Sequence, residues 1–320
     1  MFKSLGLIAA MLIGSMQLAT HAVAQEFPNK QPVKIIVPVP PGGTTDVLAR
    51  ITADFLRQRL GQAVVVENKP GASSTIGADF VAKSPADGYT LLFGGAEFAV
   101  VPTVRHNLPY KYDDFTYLVR GFTVPPLLIA GPRYSGSSVQ ALVAHMKANP
   151  GQVRYGSTGN GAIVHMAIAM FEGAAGVKGL HVPYAGAAPI FNDLLSNTLD
   201  FTMATPPMPE GFRTLASVGS KRHPSFPNVP TLEEQGIKGA TWDVWFGFFA
   251  PANLPKPVAD RLIAEITAIL KDPAALAKYR AAGNVIPDAP PLTGDSFKRQ
   301  VLEDHKRWKA VADREKIVVQ

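Results

Sequence analysis

The chain has 320 residues, of which 47% are hydrophobic and 18% are charged, a composition typical of a globular protein and unlike that of a disordered one. It contains no cysteine, which excludes disulfide bonds and thiolate chemistry. The formal net charge is +6, but the densest basic group is Lys221-Arg222-His223, so the charge pattern argues against a nucleic-acid partner.

The first residues predict a secretory signal peptide over residues 1–24. Lys3 precedes an apolar run over residues 5–18, and Ala22-Val23-Ala24 follows as a cleavage pattern of small residues. The apolar run is too short to cross a bilayer. We therefore expect cleavage near Ala24 and an exported mature chain of about 296 residues, enough for one large or two ordinary domains.

The mature chain begins with a predicted strand, a tight turn and a helix. Residues 34–37 form a β-branched run, which predicts a strand, and Pro-Pro-Gly-Gly at 40–43 ends it. Thr44, Thr45 or Asp46 can cap the helix that follows. The start of such a helix offers unpaired N–H groups and favours an anion, although a plain strand-to-helix loop is the alternative interpretation.

Strands and helices continue to alternate, which predicts parallel sheets with crossover helices. Further strands are predicted at 64–66, 89–93, 116–130 with a break at Pro125-Pro126, 153–155, 180–182, 201–203, 215–218 and 242–250. The pattern of strand, glycine-rich loop and helix occurs at Gly42 and again at Gly156. This repetition predicts two similar α/β lobes whose loops face one cleft.

Signatures of catalysis and of metal binding are absent from the sequence. It lacks G-x-S-x-G, a P-loop, H-E-x-x-H and a complete G-x-G-x-x-G, and its seven histidines show no metal-ligand spacing. We predict no catalytic residue, metal or cofactor, although a triad assembled in space stays open. The polar features are instead strand ends rich in Gly, Ser and Thr, which favour a binding cleft.

Eight segments carry a resemblance to a known family. They are residues 32–50, 65–72, 76–78, 87–92, 155–161 with His165, 181–186, 227–231 and 245–251. Together they closely resemble the Bug family, the TctC-like substrate-binding proteins of tripartite tricarboxylate transporters. The resemblance covers essentially the whole mature chain, and the predicted export leader agrees with it.

The resemblance implies a two-lobed periplasmic binding protein fold, type II-like, that closes on a carboxylate. Each lobe is expected to be a mixed, mainly parallel sheet flanked by helices, with residues 25–124 and 241–320 in lobe 1 and 125–240 in lobe 2. By this resemblance, two lobe 1 loops hold one carboxylate, partly through water, and a helix start of lobe 2 faces them. The expected ligand-binding residues are Gly42, Gly43, Thr44, Thr45, Asp46, Ser73, Ser74, Thr75, Gly77, Glu97, Ser157, Thr158, Gly159, Asn160, Tyr184 and Thr205.

Three departures from the family pattern concern the part of the site that does not hold this first carboxylate. Met203-Ala204-Thr205 lacks the acid that the family commonly places there, and the segment from 205 to 215 is about six residues shorter than the usual length in the family. Glu97 stands where the family usually has Ser, Thr or Asn. One hypothesis is that Glu97 receives a ligand ammonium or hydroxyl group. The other is a solvated glutamate at a helix start.

The resemblance implies a periplasmic, monomeric solute-binding protein. It would capture a small mono-, di- or tricarboxylate and deliver it to cognate membrane permease subunits, with a hinge between open and closed states. Two alternatives stay open. The closed form could dock on a sensor kinase, or the chain could be a secreted α/β enzyme acting on a carboxylate.

Overall fold

The computed structural model describes residues 27–105, 107–206, 208–283, 285 and 287–319. The predicted signal peptide lies outside the described residues. Within them, the helices are α1 Thr44–Leu60, α2 Thr75–Ala82, α3 Glu97–Val104, α4 Val139–Ala148, α5 Ile163–Ala175, α6 Ala187–Ser196, α7 Lys256–Ile269, α8 Pro273–Ala281 and α9 Gly294–Glu315. A short 3-10 helix covers Tyr112–Asp114.

A six-stranded sheet forms the first lobe. Its strands are β1 Val33–Val37, β2 Val64–Asn68, β3 Thr90–Gly95, β4 Phe115–Val124, β10 Val244–Pro251 and β11 Pro287–Thr293, in the order β11-β4-β10-β3-β1-β2. β1 runs parallel to β2 and β3, whereas β10 is antiparallel to both β3 and β4. Every residue of β10 is buried, as expected for a central strand.

A five-stranded sheet forms the second lobe. Its strands are β5 Leu127–Ala130, β6 Arg154–Ser157, β7 Leu180–Pro183, β8 Phe201–Ala204 and β9 Arg213–Ser217, in the order β7-β6-β8-β5-β9. β6 is parallel to β7 and β8, and β5 is antiparallel to β8 and β9. The two mixed sheets with their helices confirm the predicted two-lobed α/β fold class. The expectation that they are mainly parallel is wrong, because five strand pairs are antiparallel and four are parallel.

Local sequence explains where several elements begin and end. α1 ends at Gly61, which adopts φ 64, the left-handed conformation that glycine tolerates at a helix end. The chain leaves the first sheet after Val124 and enters the second at Leu127, because Pro125-Pro126 interrupts the extended run. The first sheet also contains β11, a strand that the sequence pattern did not predict. Its prolines fit there because β11 is an edge strand.

Candidate ligand-binding cleft

The predicted loops of lobe 1 lie along one edge of its sheet. Because β1, β2 and β3 are parallel neighbours, their carboxyl ends share that edge. The edge faces lobe 2, since the Thr44 hydroxyl donates to the backbone oxygen of Pro206 (2.8 Å) and lies 3.1 Å from Thr205 Oγ1. Thr44 is buried in this contact. The loops of the two lobes therefore meet across a cleft that is closed at this point.

Asp46 connects the two lobe 1 loops from inside the protein. Its Oδ2 accepts hydrogen bonds from the Gly42 N–H and from Arg50 Nε (both 3.0 Å), and its Oδ1 accepts one from Asn68 Nδ2 (2.9 Å). Burial by itself would raise the pKa of Asp46, but the hydrogen bonds from Arg50, Gly42 and Asn68 outweigh it and hold the pKa below its ordinary value. The carboxylate therefore shapes the turn after β1 and ties it to the end of β2.

The loop between β2 and α2 has an unusual backbone. Ala72, Ser73 and Ser74 adopt φ angles of 47, 54 and 73, three successive non-glycine residues in the left-handed region. Each such residue costs about 1–2 kcal/mol, and strain of this kind clusters at ligand clamps. Thr75 Oγ1, at the start of α2, is buried beside the Tyr110 hydroxyl and has no hydrogen bond of good geometry among the described residues. The loop therefore combines local strain with a buried hydroxyl that a ligand or a water can satisfy.

Gly77 allows α2 to approach the end of β1 closely. A Cβ at this position would lie 2.8 Å from Pro38 Cβ and 3.0 Å from both Pro38 Cα and the Lys69 backbone oxygen. Real Cβ atoms essentially never lie closer than 3.0 Å to another heavy atom, and contacts at 3.0 Å are tighter than most real ones. The role of Gly77 visible in this structure is thus close packing between the two lobe 1 loops.

Glu97 follows β3 and borders a small cavity at the same sheet edge. Its Oε1 accepts a hydrogen bond from the Gly95 N–H (3.0 Å), and burial raises the pKa of its carboxyl. Ser73, Ser74 and Tyr110 line this cavity together with Glu97. Its volume is about 10 Å³, roughly what one water needs.

The lobe 2 loop after β6 is held by two histidines. The Ser157 hydroxyl is buried, lies 2.6 Å from His181 Nε2 and donates to the Gly159 backbone oxygen (3.0 Å). The Gly161 N–H donates to His165 Nδ1 (3.0 Å). The two imidazole rings stack with centroids 3.9 Å apart, and burial lowers the pKa of each to about 4, so both rings are neutral near pH 7.

The predicted lobe 2 residues therefore divide into two groups. Ser157 and Gly159 form the internal bonds of the loop, whereas Thr158 and Asn160 are exposed. Tyr184 is fixed to lobe 2 because its hydroxyl donates to the Asp193 carboxylate and its N–H donates to the Ser157 backbone oxygen.

The remaining predicted residues lie in lobe 1 or at the contact between the lobes. Gly43 is the residue before α1, Thr45 is buried in the first turn of that helix, and Thr205 touches Thr44. His181, Tyr110 and Arg50 were not among the predicted site residues. Arg50 and His181 lie within the family-like segments 32–50 and 181–186, whereas Tyr110 lies outside all eight segments.

The described residues offer neither a cluster suited to a metal ion nor a helix suited to a membrane. Among residues 27–319, with their four single-residue gaps, no group of three or more His, Cys, Asp or Glu residues could hold a metal ion. In the same part of the chain, no helix combines the length and the apolar character that crossing a membrane requires.

Comparison with known proteins identifies the family. The model of the tripartite tricarboxylate transporter family receptor matches residues 48–316. The chain belongs to this family. The resemblance in the sequence segments is thereby confirmed.

Individual relatives agree with the family. The chain is 32% identical over 315 residues to protein BugT of Bordetella pertussis, covering 95% of each chain. It is similar to the structure of periplasmic binding protein BugD, with a TM-score of 0.83, 32% identity and coverage of 91% of this chain and 100% of that one. It is also similar to R. palustris Rpa4515 with adipate, with a TM-score of 0.84, 30% identity and coverage of 92% and 99%. The family and these neighbours are receptors and binding proteins, so the chain is a solute-binding protein of the Bug and TctC type.

Proposed function

We propose that this receptor binds a small organic carboxylate between its two lobes and delivers it to the membrane permease subunits of a tripartite tricarboxylate-type transporter. The observation that carries the proposal is the contact of Thr44 with Thr205 and Pro206, which brings the polar loops of both lobes together around one cleft. The similar protein Rpa4515 was solved with adipate, a dicarboxylate, which supports this ligand class.

The lobe 1 loops are proposed to hold one ligand carboxylate. Residues 42–46 lead into α1, and residues 73–77 lead into α2. The first N–H groups of each helix have no partner within the helix, and the helix dipole places partial positive charge there. Two helix starts at one sheet edge therefore favour an anion. We assign to Asp46 and Gly77 the task of holding these helix starts in place, and to Thr44, Ser73, Ser74 and Thr75 that of contacting the ligand.

Lobe 2 is proposed to complete the site from the opposite side. Its loop at 157–161 and the segment around Tyr184 close over the ligand, and Thr205 seals the gap against Thr44. We place the lobe boundaries at 25–124 and 241–320 for lobe 1 and at 125–240 for lobe 2. The chain passes between the sheets near Pro125 and again before Val244, and these two crossings form the hinge.

We propose that the mature protein acts in the periplasm as a monomer after cleavage near Ala24. The comparisons give no support to docking on a sensor kinase, and the binding proteins among the relatives argue against a secreted enzyme.

The test is a search for the ligand itself. Native mass spectrometry of the mature protein, purified from its export compartment, is expected to show one retained carboxylic acid per chain. In a thermal-shift screen, that acid at about 100 times its Kd should stabilise the fold by about 2.7 kcal/mol. Uptake of the same acid should be lost from cells that lack this gene. Absence of any retained ligand together with no stabilisation by mono-, di- or tricarboxylates would rule out the proposal.

A further inference from the structure

We infer that Glu97 makes the cleft selective for carboxylates that also carry a protonated amine. This inference rests on the proposed function, because it concerns the second half of the same ligand site. It assigns to the ligand a cationic group that meets Glu97 while the lobe 1 loops hold the carboxylate.

The position of Glu97 follows from the sheet. β3 lies beside β1, and both run in the same direction, so residues that follow β3 lie at the edge where the ligand loops lie. The cavity beside Glu97 is lined by Ser73 and Ser74 of the loop between β2 and α2. Glu97 therefore lies across a small cavity from the loop that we propose holds the ligand carboxylate.

The neighbouring glycine fixes the direction of the Glu97 side chain. One carboxylate oxygen, Oε1, takes the hydrogen bond from the Gly95 N–H. A Cβ on residue 95 would lie 2.7 Å from the other oxygen, Oε2, so a larger residue at 95 would displace the carboxylate from this position. This arrangement holds the carboxylate at the cavity instead of letting it extend into solvent, and it disfavours the interpretation of Glu97 as a solvated residue at a helix start.

The charge of Glu97 is uncompensated, in contrast to the charge of Asp46. Asp46 forms an ion pair with Arg50 at 2.9 Å, whereas Glu97 forms no ion pair within the described part of the chain. Its burial disfavours the ionised form. A ligand that carried only carboxylates would add negative charge beside it, which costs free energy by Coulomb repulsion. An ammonium group would instead supply the missing counter-charge and donate up to three hydrogen bonds to Glu97 and the nearby hydroxyls.

A protonated Glu97 is the competing arrangement. The neutral acid would donate a hydrogen bond to a ligand carboxylate and would confer no preference for an amine. Glutamine has a similar shape, and it offers both an oxygen for the Gly95 N–H and hydrogens to donate. Glu97→Gln therefore preserves a hydrogen bond to a ligand carboxylate but removes the ion pair with a ligand amine.

The experiment uses three pairs of probes that differ only in the amine: alanine and propionate, aspartate and succinate, glutamate and glutarate. Calorimetric titration of the wild type is expected to show at least one amino member binding about tenfold or more tightly than its partner, since hydrogen bonds between charged groups are stronger than those between neutral ones. Glu97→Gln is expected to remove that preference by weakening the amino member about tenfold, with little change for its partner. Glu233→Gln, an exposed acid in lobe 2, is the matched control and should change neither.

The outcomes separate the inference from the proposed function. The inference is overturned if the wild type prefers the acid without the amine or binds no amino member. It is also overturned if Glu97→Gln weakens both members of a pair equally or leaves the preference intact. If the wild type binds none of these six but binds another carboxylate without an amine, the proposed function stands and the inference fails. Failure to bind any carboxylate contradicts the proposed function itself. The melting temperature of each variant shows that the chain is folded.

Discussion

Replacing Asp46 by alanine is expected to lower the free energy of unfolding by about 1–2 kcal/mol and to weaken carboxylate binding by roughly tenfold or more. The alanine removes the acceptor of the Gly42 N–H and of Arg50 Nε, and one of the two acceptors of the Asn68 amide, which also donates to the Val39 backbone oxygen. Gly42 and Arg50 are exposed, so water can replace the carboxylate as their acceptor, and the loss is smaller than that from a fully buried network. Because these donors belong to two different loops, their loss also separates the helix starts that we propose hold the ligand.

The measurements are urea unfolding and calorimetric titration with the retained carboxylate. Asp46→Asn keeps one acceptor oxygen and should lose less stability than the alanine variant. Asp54→Ala is the control. Asp54 lies on the same helix but is exposed, and its ion pair with Lys278 is long, at 3.7 Å. The expected change for this control is within about 0.5 kcal/mol. If Asp46→Ala bound ligand like the wild type, Asp46 would not organise the site.

Replacing Gly77 by alanine is expected to cost about 1–3 kcal/mol of stability and to weaken binding at least as strongly as the loss of Asp46. The added methyl group meets Pro38 at 2.8 Å and the Lys69 backbone oxygen at 3.0 Å, and neither group can move aside easily. α2 must therefore shift away from the end of β1. A displacement of about 1 Å at a binding loop is enough for a large loss of affinity.

Gly43→Ala gives the matched control for this substitution. It adds the same methyl group two residues after Pro41, where a Cβ would meet no atom within 4 Å, and φ at Gly43 is −83, an ordinary value. Its thermal stability is expected to equal that of the wild type, whereas that of Gly77→Ala falls. Equal melting temperatures for both variants would show that α2 does not depend on the close approach at Gly77.

Local sequence patterns predicted much of the fold. The run at 34–37, the turn through Gly42 and the helix end at Gly61 depend on neighbouring residues, so composition and spacing were enough to locate them. β11 was missed because its prolines are typical of loops, and only its place at the sheet edge makes them acceptable.

The connections within the cleft were not predictable in the same way. Asp46 reaches Asn68 across 22 residues, Ser157 reaches His181 across 24, and Thr44 reaches Thr205 across 161. Such pairs arise from the packing of separate elements, which a single sequence does not specify. The sequence therefore indicated which loops bear polar groups, whereas only the structure shows that Asp46 and Ser157 use those groups inside the protein.

The central claim is that the two lobes close on a carboxylate, and an interlobe distance tests it most directly. Because the chain has no cysteine, Gln58→Cys on α1 and Lys147→Cys on α4, both exposed, can carry a pair of spin labels without competing thiols. Pulsed electron-spin measurements should show a broad or longer distance distribution in the ligand-free protein. Saturating carboxylate should produce one shorter distance, and a second pair within lobe 1, at Gln58 and Glu303, should not change. An interlobe distribution that saturating ligand leaves unaltered would contradict the account.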